Sequence, residues 1–110
     1  MVSPPSKKPA TYDDLLALPE HVIGEIIDGE LIASPRPRAR HALASSNLGI
    51  DVGGPFGRKP GNPGGPGGWH ILDEPELHLG RDVVVPDLAG WRRERMAVVP
   101  DVAAFELAPD

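Results

Sequence analysis

Residues 22–33 read Val22-Ile23-Gly24-Glu25-Ile26-Ile27-Asp28-Gly29-Glu30-Leu31-Ile32-Ala33. Two aliphatic runs flank Asp28-Gly29, the pair that supplies both positive φ angles of a type I′ turn, so the stretch predicts a β-hairpin. Working upstream, Thr11-Tyr12-Asp13-Asp14 has the spacing of an N-cap followed by an acid at the third helical position. A short helix over Tyr12 to Leu18 is expected, ended by Pro19. Working downstream, Ser34-Pro35-Arg36-Pro37 breaks the second strand. From Arg38 to Val52 the residues Ala39, Ala42, Leu43, Leu48 and Val52 recur at spacings near three and four, the pattern of one helix face.

Between Gly53 and Gly68, 12 of 16 residues are Gly or Pro. Such a composition neither fills a core nor sustains a ladder of hydrogen bonds, and it predicts a flexible surface loop over 53–68, a connector or a lid over a site. Order returns with Trp69-His70-Ile71-Leu72 and with Glu76-Leu77-His78-Leu79, which alternates as a strand with one face buried. Gly80-Arg81-Asp82 turns the chain. Val83-Val84-Val85 is a β-branched run cut by Pro86-Asp87, and Leu88-Ala89-Gly90-Trp91 resumes the apolar pattern, giving a second strand pair. The tail ends on the turn signal Pro109-Asp110 with nothing expected to pack after it, and no internal repeat is visible.

These elements belong to a chain of 110 residues, enough for one small domain and too little for a second core. Thirteen glycines and 14 prolines are about twice the usual share of roughly 12%, so part of the chain is loop. The net charge of −5 excludes a global basic field that would gather nucleic acid at long range. Any such contact must be local. Without cysteine there is no disulfide, thiolate zinc site or cysteine nucleophile. The start, with two lysines and no following apolar run, does not read as a secretory signal, and no stretch is long enough to span a membrane. The expectation is a soluble, cytoplasmic domain over residues 11–110 preceded by a disordered segment, 1–10.

Two carboxylates stand out. Asp87 follows a buried-looking run exactly where proline halts the strand ladder, and an acid held at a strand end suits a hard divalent cation; a plain turn capped by the Asp is the competing reading. Glu25 has apolar neighbours on both sides, so its carboxylate risks desolvation, which a raised pKa or a bound cation would answer; the competing reading is an edge-strand glutamate that points at solvent or pairs with an arginine. Glu76 could join Asp87 if their strands pair. The histidines His21, His41, His70 and His78 have no spacing that places two on a common helix face, and singly each reads as structural. Arg36, Arg38 and Arg40 with His41, and again Arg92, Arg93 and Arg95, form local basic stretches that suit phosphates or a solvated turn.

The order of these motifs resembles a known family. Ala10-Thr11-Tyr12-Asp13-Asp14-Leu15-Leu16, Gly24-Glu25-Ile26-Ile27-Asp28-Gly29-Glu30-Leu31, Ser34-Pro35 with His41, Leu72-Asp73-Glu74-Pro75-Glu76-Leu77-His78-Leu79-Gly80, and Val85-Pro86-Asp87-Leu88-Ala89-Gly90-Trp91-Arg92-Arg93-Glu94-Arg95 together look like the Uma-two-type restriction endonuclease family of the PD-(D/E)XK nuclease superfamily. The resemblance implies an α+β, restriction-endonuclease-like fold, with a β-hairpin and a mixed sheet flanked by helices. It also implies Mg²⁺ or Mn²⁺ as cofactor and DNA as substrate. Asp87 matches the metal-binding Asp of the family's Val-Pro-Asp motif, and Glu25 matches its glutamate ahead of Asp-Gly-Glu. In the family, a strand with the second essential acid and a helix with the site lysine follow the position of Asp110. This chain stops before both, so it is expected to be a truncated nuclease domain with little activity of its own. The alternative is a nuclease-like module that binds without cutting.

Overall fold

The structure is a computed structural model and describes residues 8–61 and 63–110. The expected disordered start lies, up to residue 7, outside the described residues, and by Ala10 the chain is fastened, its amide donating to Gly29 O at 2.9 Å. Helix α1 (Tyr12–Leu16) begins with the expected cap: the Asp14 amide donates to Thr11 Oγ1 and the Thr11 amide to the Asp14 carboxylate. It ends two residues earlier than Leu18.

Strands β1 (Val22–Ile27) and β2 (Glu30–Pro35) form the hairpin in full antiparallel register, Ile27 facing Glu30 and Val22 facing Pro35. Asp28 (φ 52°) and Gly29 (φ 80°) make the turn. Alternation along β1 sends Gly24 and Ile26 to one face and Ile23 and Glu25 to the other. The first face lies against α1, and a Cβ at Gly24 would stand 2.7 Å from Leu18 Cδ1, so only glycine lets the helix come this close. Leu15, Ile26 and Val83 form a small core there.

Four further strands, β3 (Trp69–Asp73), β4 (Leu77–Leu79), β5 (Asp82–Val84) and β6 (Leu88–Arg92), make one bent hairpin divided between two sheets. β4 pairs with β5, and β5 with β1, giving the order β2-β1-β5-β4; β3 pairs with β6 as a separate two-stranded sheet. The register does not slip across the break: Leu77 faces Val84 on one side and Asp73 faces Leu88 on the other. That register sets Pro75 against Pro86. Neither has an amide hydrogen, so the ladder fails on both strands at one point and the hairpin kinks. The named pairings are all antiparallel, and a parallel bridge from Leu77 to Phe105 makes the larger sheet mixed.

The larger core lies against β4 and β6 and holds Leu77, Ala89, Trp91, Met96 and Phe105, with Trp91 fully buried against the Phe105 ring. The tail is itself packed. Phe105 exchanges backbone bonds with Glu76 and His78, Trp91 Nε1 donates to Leu107 O, and Asp110 accepts from the Arg92 amide and from Arg95. That amide, with the Arg95 charge, holds the Asp110 carboxyl below its ordinary range.

Helix α2 (Ala39–Phe56) departs from expectation twice. It runs four residues into the Gly/Pro-rich segment, carrying Pro55 in its last turn, and none of its residues is buried. Leu43 and Leu48 are exposed, and β3 is the strand it packs on. The rest of the segment is fixed at the far end of β6, where Arg93 donates from its amide to Gly68 O and from its side chain to Gly57 O. No described helix is long and apolar enough to cross a membrane.

Candidate active site

Asp87 occupies the kink of the bent hairpin, between the last residue of β5 and the first of β6. The kink is held from two sides. Glu74, opposite on the other strand, donates its amide to Asp87 O at 3.1 Å. From β1, Glu25 Oε2 accepts the Val85 amide at 2.8 Å. The β1–β5 register would next set Val85 against Gly24, but the side-chain carboxylate takes this amide instead. Glu25 therefore ends the β1–β5 ladder at Val85.

The half-buried Glu25 is thus partnered by a backbone amide rather than by an arginine. It and Asp87 line one hollow of about 270 Å³ with Ile23, Ser34, Pro35, Pro37, His41 and Val85. On its other side Asp87 borders a second hollow, of about 370 Å³, with Arg36, Ser45, Ser46, Asp73 and Glu74. Asp87 is half-exposed, yet it is not remote from other acids.

His41, in the first turn of α2, reaches over the kink and places Nε2 3.1 Å from Asp87 Oδ1. A carboxylate only accepts, so Nε2 is the donor. Reading each histidine as structural missed this contact. The two residues are 46 apart, and the signal that pointed towards it was the basic stretch Arg36–Arg40 leading into His41. Of that stretch, Arg36 borders Asp87's second hollow and also donates to Glu20 O at 3.5 Å.

Glu76 does not join the site. Its Oε2 accepts from Tyr12 Oη at 2.7 Å and lies 2.9 Å from His78 Nε2. β4 does pair with β5, the condition for Glu76 to join Asp87, but Glu76 belongs to the clasp between α1 and β4. Among the described residues of the Gly/Pro-rich segment, none lines either hollow beside Asp87.

Hard divalent cations take oxygen ligands, and Mg²⁺ commonly uses one or two protein carboxylates with water and phosphate completing its shell. Asp87 and Glu25 match that donor chemistry. Among the described residues each has one oxygen engaged, Oδ1 by His41 and Oε2 by Val85, leaving Oδ2 and Oε1 for a ligand. The described residues hold no group of three or more His, Cys, Asp or Glu able to hold a metal unaided. The residues fit a two-carboxylate partial site.

The chain matches no protein-family description and no curated protein. Among solved structures it is similar to a crystal structure from Anabaena variabilis described as a "putative nuclease belonging to DUF820", with a TM-score of 0.69 and 23% sequence identity over 92% of this chain. The chain has that protein's α+β fold over the matched part. It spans about half of that structure, 55% of its length.

Proposed function

We propose that this chain carries the metal-holding part of a restriction-endonuclease-like phosphodiesterase site, acting on DNA with Mg²⁺ or Mn²⁺. The observation that carries the reading is Asp87, set at a proline-enforced kink and sharing a hollow with Glu25. The fold likeness to a DUF820 structure and the motif order support the same assignment.

When bound, the cation would polarise a phosphate and make a water molecule more acidic at neutral pH. Asp87 and Glu25 would hold it, and the kink would keep both carboxylates in place, Glu25 through Val85 and Asp87 through Glu74. Arg36, beside Asp87, is placed to meet a phosphate's negative charge.

A second reading, a nuclease-like module that binds without cutting, is favoured by one observation: no described lysine lines these hollows. The test combines Mn²⁺ titration followed by electron paramagnetic resonance with cleavage of supercoiled plasmid, for this chain and for any longer product of the same reading frame. Mn²⁺ binding that is lost in Asp87→Ala supports the metal site, and cleavage that follows the metal makes it a nuclease. Salt-dependent DNA retention without metal binding supports the second reading. Unchanged Mn²⁺ affinity in Asp87→Ala removes Asp87 from the site.

A further inference from the structure

The metal-site reading leaves His41 without a role. A terminal carboxylate turns about its last torsion in a broad, two-fold well, so an aspartate on a kink does not by itself present a fixed oxygen. His41 Nε2 lies 3.1 Å from Oδ1 of Asp87, and both side chains line the hollow that also contains Glu25.

Two facts separate this contact from incidental packing. First, α2 buries no side chain, so His41 is not brought to Asp87 by a core that needs it there. Secondly, both partners are 51% exposed, and an ion pair or hydrogen bond between two such groups adds little to stability. What the contact does accomplish is directional. It occupies Oδ1, so that Oδ2 is the oxygen left to a ligand. Partners that orient a ligating carboxylate from behind typically change metal affinity by roughly 10–100-fold when removed.

We infer that His41 is a positioning residue of the Asp87 site: it holds Oδ1 through Nε2 and thereby aims Oδ2 at a divalent cation. The inference rests on the metal reading of Asp87, and it concerns orientation alone; His41 is neither a ligand nor a proton acceptor in it.

The experiment is Mn²⁺ titration of the 110-residue chain by electron paramagnetic resonance, with thermal unfolding recorded for each variant. His41→Ala is expected to weaken Mn²⁺ roughly tenfold or more while the unfolding midpoint stays at the wild-type value. His41→Gln puts an amide donor near the position of Nε2 but has no imidazole lone pair, and it is expected to recover most of the lost affinity. Wild-type affinity in His41→Ala beside weakened binding in Asp87→Ala overturns the positioning role and leaves the metal site standing. His41→Gln as weak as His41→Ala also overturns it, because the ring itself would then be needed. Wild-type affinity in Asp87→Ala, or no Mn²⁺ binding by the chain at all, overturns both readings together.

Discussion

Two acid–histidine pairs stand in this molecule, and chemically they are near copies. His41 Nε2 meets Asp87 at 3.1 Å, and His78 Nε2 meets Glu76 at 2.9 Å. Their settings differ. The His78–Glu76 side chains are 26% and 24% exposed, the Tyr12 hydroxyl shares the same Glu76 oxygen, and the Tyr12 and His78 rings meet edge to face at 4.7 Å. In consequence the Tyr12 phenol is raised above its ordinary range, first by donating to that carboxylate, then by burial and the nearby negative charge. The Asp87 pair is twice as open. Packing and two donors on one oxygen mark the first pair as a clasp between α1 and β4; the second stands open at the kink, in the hollow it shares with Glu25.

The contrast can be broken most sharply at the acids themselves. Asp87→Ala should reduce Mn²⁺ affinity by about 100-fold or more, beyond the range seen for orienting partners, with little change in urea unfolding; a comparable loss in Glu76→Ala would erase the distinction. Glu76→Ala should instead lower stability in urea by about 1–2 kcal/mol, since two donors lose their acceptor, and leave Mn²⁺ binding alone. Smaller still, Tyr12→Phe should cost about 0.5–1 kcal/mol, because the phenol is more than a third exposed, and the same urea series reads it. The slightest effect is one of pH. With the folded-state pKa of Tyr12 above its unfolded value, the stability it contributes is present below the ordinary tyrosine range near about 10 and is lost as pH rises through the raised value. In Tyr12→Phe, which has no tyrosine left, that alkaline loss should disappear, as judged by urea midpoints followed by tryptophan fluorescence across the pH series.

What was legible in the sequence was whatever a few neighbouring residues decide. Asp28-Gly29 dictates a turn, Thr11 with Asp14 a cap, and Pro86 a strand end, each through a local backbone constraint. Helix α2 overran its expected end because Gly53, Gly54 and Pro55 sit in a last turn where Pro55's missing amide breaks only a single helical bond, and composition alone does not distinguish that from a loop. Its apolar residues suggested a buried face that the fold does not provide. Asp87 and Glu25 were visible as candidates, since a proline-stopped run and an acid among isoleucines are sequence facts. That Glu25 would spend an oxygen on Val85, that Glu76 would be claimed by Tyr12, and that His41 would arrive from 46 residues away were not, because each depends on strand pairing and helix placement over long separations.

The facing prolines Pro75 and Pro86 have a consequence for how such a site could drift over time. Its geometry depends on two hydrogens that are absent, so replacing either proline by almost any other residue would offer the opposite strand a new donor. A straightened hairpin would then be within reach of one nucleotide change, without touching an acid at all. The carboxylates are the conspicuous part of this bend; the silent nitrogens behind them are where its shape would be lost first.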